Sequence, residues 1–136
     1  MDYLLDTNVC IALINGTSDV VRRRFAKEVD FGGWVGVSSV SVYELWYGIA
    51  KSVRTEANAA RLGIFLSGRV RVLEFGEDDA RHAGKIRSTL ERSGRPIGAY
   101  DLLIAGQAMA HELTLVTANV KEFGRVKGLV WEDWGK

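Results

Sequence analysis

Short apolar runs alternating with longer segments of helical period constrain the fold of this chain more than any other feature. Tyr3-Leu4-Leu5, Trp34 to Ser38, Val70 to Phe75 and Thr114 to Thr117 have the length and composition of buried strands. The stretches between them carry helical spacing and helix-end signals. Val9 to Ile14 is closed by Asn15-Gly16, a pair suited to a left-handed C-cap, and Ser18 or Asp19 can cap a second helix reaching about Val29. Ser41-Val42-Tyr43-Glu44 has the S-x-x-E form of a capping box, opening a helix toward Ala50, and another helix covers Thr55 to Leu66. Asp78 or Asp79 caps a long helix to Arg92, with Ala83, Ile86 and Leu90 on its inner face. A loop from Ser93 to Gly98 holds the only proline, and Tyr100 to Glu112 is apolar enough to be a buried helix. Val130-Trp131-Glu132 predicts a short last strand. Such alternation implies an α/β three-layer sandwich, a mostly parallel sheet of four to five strands flanked by helices. No linker, repeat or low-complexity stretch interrupts it, so residues 1–136 read as one domain.

Bulk properties narrow the function classes. Cys10 is the only cysteine, which rules out an internal disulfide and fits a reducing compartment. The opening MDYLLDTN lacks the basic and apolar regions of a signal peptide, and no apolar run has the length of a membrane span. A cytoplasmic protein is expected. A net charge of +1 argues against a general polyanion binder. The basic run Arg22-Arg23-Arg24 and the recurring Arg81, Arg87, Arg92 and Arg95 permit phosphate contacts, although each reads first as part of a solvated helix face.

The informative residues are acids. Parallel α/β sheets bind ligands beyond the carboxyl ends of their strands. Asp6 ends the first strand, Glu44 lies one helical turn after the second, and Asp101 begins the apolar helix after the Pro/Gly loop. Each has a local explanation: Asp6 as an N-cap, Glu44 as the third residue of its capping box, Asp101 as complement to a helix dipole, worth about 0.3–1 kcal/mol. Three acids on one sheet edge call for more, because like charges a few ångströms apart raise one another's pKa unless a cation lies between them. Mg²⁺, which takes carboxylates, waters and phosphate oxygens, is the natural counter-charge.

Absences exclude other chemistries. His82 and His111 are the only histidines, and with Cys10 they cannot build a structural zinc site. There is no G-x-x-x-x-G-K-S/T loop, no G-x-G-x-x-G after the first strand and no G-x-S-x-G elbow, and Ser41 has no histidine partner in view.

The chain resembles PIN domains of the VapC type. Leu4-Leu5-Asp6-Thr7-Asn8 is similar to their opening L-L/I-D-T-N signature, and Ser41-Val42-Tyr43-Glu44-Leu45 to their S-x-x-E-L segment. Gly98-Ala99-Tyr100-Asp101-Leu102-Leu103-Ile104-Ala105 resembles the stretch that precedes the family's buried helix. Leu115-Val116-Thr117, then Lys121-Glu122-Phe123, and the tail Val130 to Trp134 follow in the family's order. The resemblance implies a Mg²⁺-dependent endoribonuclease, with Mn²⁺ able to substitute, acting as the toxin of a bacterial type II toxin–antitoxin module. It implies Asp6, Glu44 and Asp101 as catalytic, metal-binding acids, supported by Thr7, Thr117 and Asn119. Hydrolysis by metal-activated water would leave a 5′-phosphate and a 3′-hydroxyl without a covalent intermediate. The implied partners are an RNA substrate, structured RNA such as tRNA among them, and a cognate VapB-type antitoxin, with a homodimer assembling into a larger hetero-oligomer and no membrane.

One position departs from the pattern. Asn119 stands where many relatives carry a fourth acid, and it offers a carbonyl oxygen without charge. Glu122 can compensate only if its side chain turns inward; at its position it reads as solvated. Tyr43, Trp46 and Tyr47 surround Glu44 at helical spacing and read as core plus a protein interface, with base stacking as the rarer use. Three alternatives remain at this level: a housekeeping RNA-processing nuclease without an antitoxin, a PIN-fold binding module with a weakened site, and a phosphoacceptor signalling domain. The last lacks an acidic pair at one end of the first strand and a lysine close behind a late one.

Overall fold

The computed structural model describes residues 2–136. Its order is β1 (Tyr3–Leu5), α1 (Thr7–Asn15), α2 (Asp19–Asp30), β2 (Val35–Ser38), α3 (Ser39–Ala50), α4 (Thr55–Leu66), β3 (Arg71–Leu73), α5 (Glu77–Arg92), α6 (Ala99–Ala110), β4 (Thr114–Val116), α7 (Val120–Phe123) and β5 (Trp131–Glu132). The five strands form one parallel sheet in the order β3-β2-β1-β4-β5.

Side-chain alternation along these strands builds the three layers. Tyr3, Leu5, Val35 and Val37 point to one face, where Val9 and Cys10 of α1, Val21 of α2, Leu45 of α3 and Leu62 of α4 cover them. Leu4 and Leu115 point to the other face, beneath Leu90 of α5, Ile104 and Ala105 of α6 and Phe123 of α7. A sheet covered on both sides needs apolar residues at consecutive positions, which is why β1 and β4 read as unbroken apolar runs. On the second face α5 and α6 approach so closely that a Cβ on Gly106 would lie 2.6 Å from the backbone nitrogen of Ala83.

Most helix ends fall where local chemistry puts them. Gly16 takes a left-handed conformation (φ 63°) and ends α1, and Ser18 accepts from the Val21 amide at the start of α2. Two expected caps are corrected. Ser41 and Glu44 do not form a capping box, because α3 begins at Ser39 with Ser38 as its cap, accepting from Val40 N at 3.0 Å. Likewise neither Asp78 nor Asp79 is the N-cap of α5. Gly76 holds that place, and Asp79 reaches back from the first turn to accept from its amide at 2.8 Å. The third strand is also shorter than its apolar run. It lies at the sheet edge with Arg71 and Val72 exposed, and only three residues pair. The short helix α7 was not expected. Its signal is the Asn119-x-x-Glu122 spacing, the same cap-to-third-residue interval read at Ser41.

Candidate active site

The strand order reverses at β1: the chain runs from β1 outward through β2 to β3, then returns to place β4 on β1's other side. At such a switch the helices leave a crevice beyond the carboxyl ends of the strands. Asp6 follows β1 and Thr117 follows β4, and the Thr117 hydroxyl donates to Asp6 Oδ2 at 2.6 Å across that crevice. The other oxygen, Oδ1, accepts from Val9 N at 2.9 Å and caps α1. Asp6 is therefore both a helix cap and a member of the acid cluster. Burial pushes its carboxyl above the usual carboxylate range and the charge of Glu44 adds to this, against the hydrogen bonds from Thr117, Val9 and Asn8.

Glu44 arrives from α3, one helical face away from the core residues Ser41 and Leu45. Its Oε1 accepts from the Thr7 hydroxyl at 2.7 Å, and Thr7 also lies 2.9 Å from the hydroxyl of fully buried Ser41. Thr7 thus fixes Glu44 against the start of α1, and Ser41 backs Thr7 rather than capping a helix.

Asp101 projects from the first turn of α6 and meets Glu122 of α7. Burial comes first, then the hydrogen bond and charge of Glu122, then the charges of Asp6 and Glu44, and together they push the Asp101 carboxyl up to about 7. The same contact moves Glu122 down, helped by Asn119, Arg125 and the Gly98 amide and opposed by burial. Of the two, Asp101 takes up a proton first as the pH falls, and Glu122 is the partner that stays ionised longer. Glu122 stays partly solvated, as its position suggests, yet its carboxylate turns toward Asp101. Asn119 donates from Nδ2 to Glu122 Oε2 at 2.9 Å and from its amide to Thr117 Oγ1 at 2.9 Å. It aims the fourth carboxylate instead of replacing it.

The expected residues Asp6, Glu44, Asp101, Thr7, Thr117 and Asn119 thus gather at one edge, joined by Glu122. Among the described residues, however, no three acid, histidine or cysteine side chains close on one ion-sized position. The remaining expectations divide. Tyr43, Trp46 and Tyr47 are not core: they are 53%, 47% and 58% exposed, and Tyr43 packs on Tyr100 with ring centroids 5.5 Å apart. Nor do they line the apolar groove beside the site. That groove, about 290 Å³, runs between α1, α3 and α4 over Ile11, Ile14, Leu45 and Ile49, with Glu44 at its rim. The arginine runs are mostly self-paired, Arg22 with Asp19, Arg81 with Glu77 and Asp78, and Arg87 with Glu91. His82 hydrogen-bonds its own helix at Asp78 O, and His111 pairs with buried Asp79. Neither histidine contacts the acids at the crevice. Burial pushes the Cys10 thiol up and leaves it unreactive.

The model of the PIN domain matches residues 3–129. The chain belongs to the PIN-domain family. Within it, this PIN domain is 43% identical to the tRNA(fMet)-specific endonuclease VapC of Shigella flexneri over 134 residues, 98% of each chain. It is 40% identical to ribonuclease VapC2 of Rickettsia felis over the full length of both. Among solved structures it superposes on VapBC2 of Rickettsia felis, bound to a DNA fragment from its promoter, with a TM-score of 0.92 at 39% identity, covering 98% of this chain and 99% of that one. DNA-bound VapBC of Salmonella typhimurium gives a TM-score of 0.91 at 40% identity, with 98% of each chain covered. The PIN domain is thus of the VapC type, an enzyme of the nuclease class. Membership also removes the phosphoacceptor alternative. Among the described residues no helix is long and apolar enough to cross a membrane.

Proposed function

We propose that residues 1–136 act as one PIN domain, a Mg²⁺-dependent endoribonuclease in the bacterial cytoplasm that serves as the toxin of a type II toxin–antitoxin module. The observation that carries this reading is the charge deficit at the crevice. Asp6, Glu44, Asp101 and Glu122 face one another, and Asp101 keeps its proton to about 7 for want of a cation. A donor set made only of carboxylate, amide and hydroxyl oxygens fits a hard ion. Mg²⁺ is usually held by one or two carboxylates and keeps several waters, so no three-acid cage is needed, and Mn²⁺ can take the same oxygen donors. Asp6, Glu44 and Asp101 would hold such an ion, which would supply charge against the phosphoryl oxygens and lower the pKa of a water that becomes the nucleophile.

The protein's own contribution is position. Asp6 is locked by Thr117 and the Val9 amide, and Glu44 by Thr7, so neither carboxylate must reorganise when a phosphodiester arrives. The proton that Asp101 takes up can leave when positive charge enters the site. Asp6, Glu44 and Asp101 are the proposed catalytic and metal-binding acids, with Glu122 joining them and Thr7, Thr117 and Asn119 in support. RNA, structured RNA such as tRNA included, is the proposed substrate, following the names of the Shigella and Rickettsia relatives.

The similar Rickettsia and Salmonella structures are VapBC complexes, which supports a VapB-type antitoxin as partner here, with toxin dimers inside a larger assembly. The groove over Ile11, Ile14 and Leu45 leads to Glu44 and suits an apolar antitoxin segment whose basic side chain reaches the acids. Expression of this chain alone should arrest bacterial growth and deplete intact RNA, and Asp6→Ala should be harmless. Purified protein should cleave RNA only with Mg²⁺ or Mn²⁺. Tolerance of the folded wild-type chain at high level would return the housekeeping and weakened-site alternatives.

A further inference from the structure

Arg22, Arg24, Arg69, Arg81 and Arg87 are each answered by an acid. Of the cations that form no ion pair among the described residues, three lie together. Lys85 of α5, with Arg125 and Lys127 from the segment after α7, lines a cleft of about 290 Å³ with Thr89 and an aliphatic floor of Ile86 and Leu90. No acid lines this cleft, and among the described residues none of the three cations forms an ion pair. Arg125 makes one hydrogen bond, from Nη1 to the Pro96 carbonyl at 2.9 Å, which leaves guanidinium donors for an acceptor from outside.

The cleft adjoins the acid cluster through the chain itself. Arg125 holds Pro96 on the cleft side, while Glu122, one turn earlier, accepts from the Gly98 amide on the acid side. The charge of Arg125 also pulls the Glu122 carboxyl down. The cleft and the acid cluster thus share the segments 96–98 and 122–125. Two lysine point charges, a guanidinium fork and a threonine hydroxyl suit phosphate oxygens, and an aliphatic floor reads no base edge.

We infer that the Lys85–Arg125–Lys127 cleft binds a backbone phosphate of the RNA strand lying at the acid cluster, and so supplies sequence-independent grip. This rests on the nuclease reading above. An acidic protein segment would satisfy the same charges, but continuity with the acid site favours the substrate strand.

The test is Lys85→Gln/Lys127→Gln, beside Lys85→Arg/Lys127→Arg, since both lysines are exposed and their loss leaves the core intact. A fluorescein-labelled single-stranded RNA is titrated in chelator at several salt concentrations, and cleavage of the same RNA is followed with Mg²⁺. Loss of that phosphate contact should make the log–log salt slope shallower by about 0.7, the value for one single-strand contact. It should also raise KM roughly tenfold, with kcat within about twofold. The arginine pair should restore both. Wild-type binding, slope and KM in the glutamine variant overturn the cleft while leaving the nuclease reading in place. The same parity combined with weakened capture of the antitoxin would instead assign the cleft to protein. A folded wild-type chain that neither binds nor cleaves RNA removes the nuclease reading, and this inference with it.

Discussion

Asp101→Asn should make the metal-free protein more stable while destroying its activity. Asp101 ionises at about 7 in the fold against 3.8 for a free aspartate, a difference of about 3 units. At ~1.36 kcal/mol per unit, forcing the native carboxyl to ionise costs about 4 kcal/mol as a ceiling. Asp101 is only about half-buried, so solvent screens part of this. Glu122, moved the opposite way by the same contact, returns another part. Roughly 1–2 kcal/mol remains. The sign follows from proton counting. Below about pH 4 both states carry the proton and nothing is lost. Between about pH 4 and 7 the native state holds a proton that the unfolded chain has released, so stability falls as pH rises through that window.

Asparagine has the same shape, can donate to Glu122, and never ionises, so it escapes this loss. For 136 residues the unfolding entropy is about 0.3 kcal/mol/K, so 1–2 kcal/mol corresponds to roughly 3–8 °C in Tm. Thermal melts in chelator at pH 4, 5.5, 7 and 8 should therefore show the two proteins converging at the acid end and Asp101→Asn ahead by that margin at pH 8. Millimolar Mg²⁺ should raise the Tm of the wild type more than that of the variant. A gap that does not change with pH, or a variant that melts lower at pH 8, would refute the idea that these carboxylates strain the empty site.

Gly106→Ala should destabilise by about 1–3 kcal/mol, because its Cβ meets the Ala83 backbone at 2.6 Å and two helices must part; chemical denaturation measures it. Thr117→Val strips the hydroxyl that donates to Asp6 and accepts from Asn119, so RNA cleavage should fall at least tenfold, while Thr117→Ser retains most of it. Asn119→Ala should reduce cleavage less than Glu122→Gln, and both less than Asp6→Ala; equal damage from Asn119→Ala and Asp6→Ala would place Asn119 among the ligands.

The legible part of this fold was the part in which local signals and burial agree. β1 and β4 are covered on both faces, so their apolar runs could only be central strands. The caps at Ser18 and Gly16 act within one turn, where sequence distance and spatial distance coincide. Ser41-x-x-Glu44 misled because the same spacing serves two ends: here it places a buried hydroxyl and a carboxylate around Thr7, a partner 34 and 37 residues away that no local pattern discloses. The aromatic residues beside Glu44 misled for a related reason. Helical spacing shows that Tyr43 and Tyr47 share a face, but which face meets the sheet is set by α3's own start, and Ser41 and Leu45 took the inner side.

Glu122 shows most clearly how a site and its scaffold become one object. As a residue of a four-residue helix it has every local reason to be solvated, and a fourth acid beside Asp101 is electrostatically unfavourable. Its carboxylate is held toward Asp101 by Asn119, by the Gly98 amide and by a hydrogen bond with Asp101, with Arg125 near enough to favour its charge. These contacts also pin the Pro96–Gly98 segment that begins α6 and so aim Asp101. Asn119 is then not a defect in an acid site, since an aspartate there would repel Glu122 where the amide donates to it. An Asn119→Asp exchange would add charge for a cation while removing the donor that orients the neighbouring acid. The two effects oppose each other, so in this chain a neutral residue at 119 is the arrangement that keeps four carboxylates in one place.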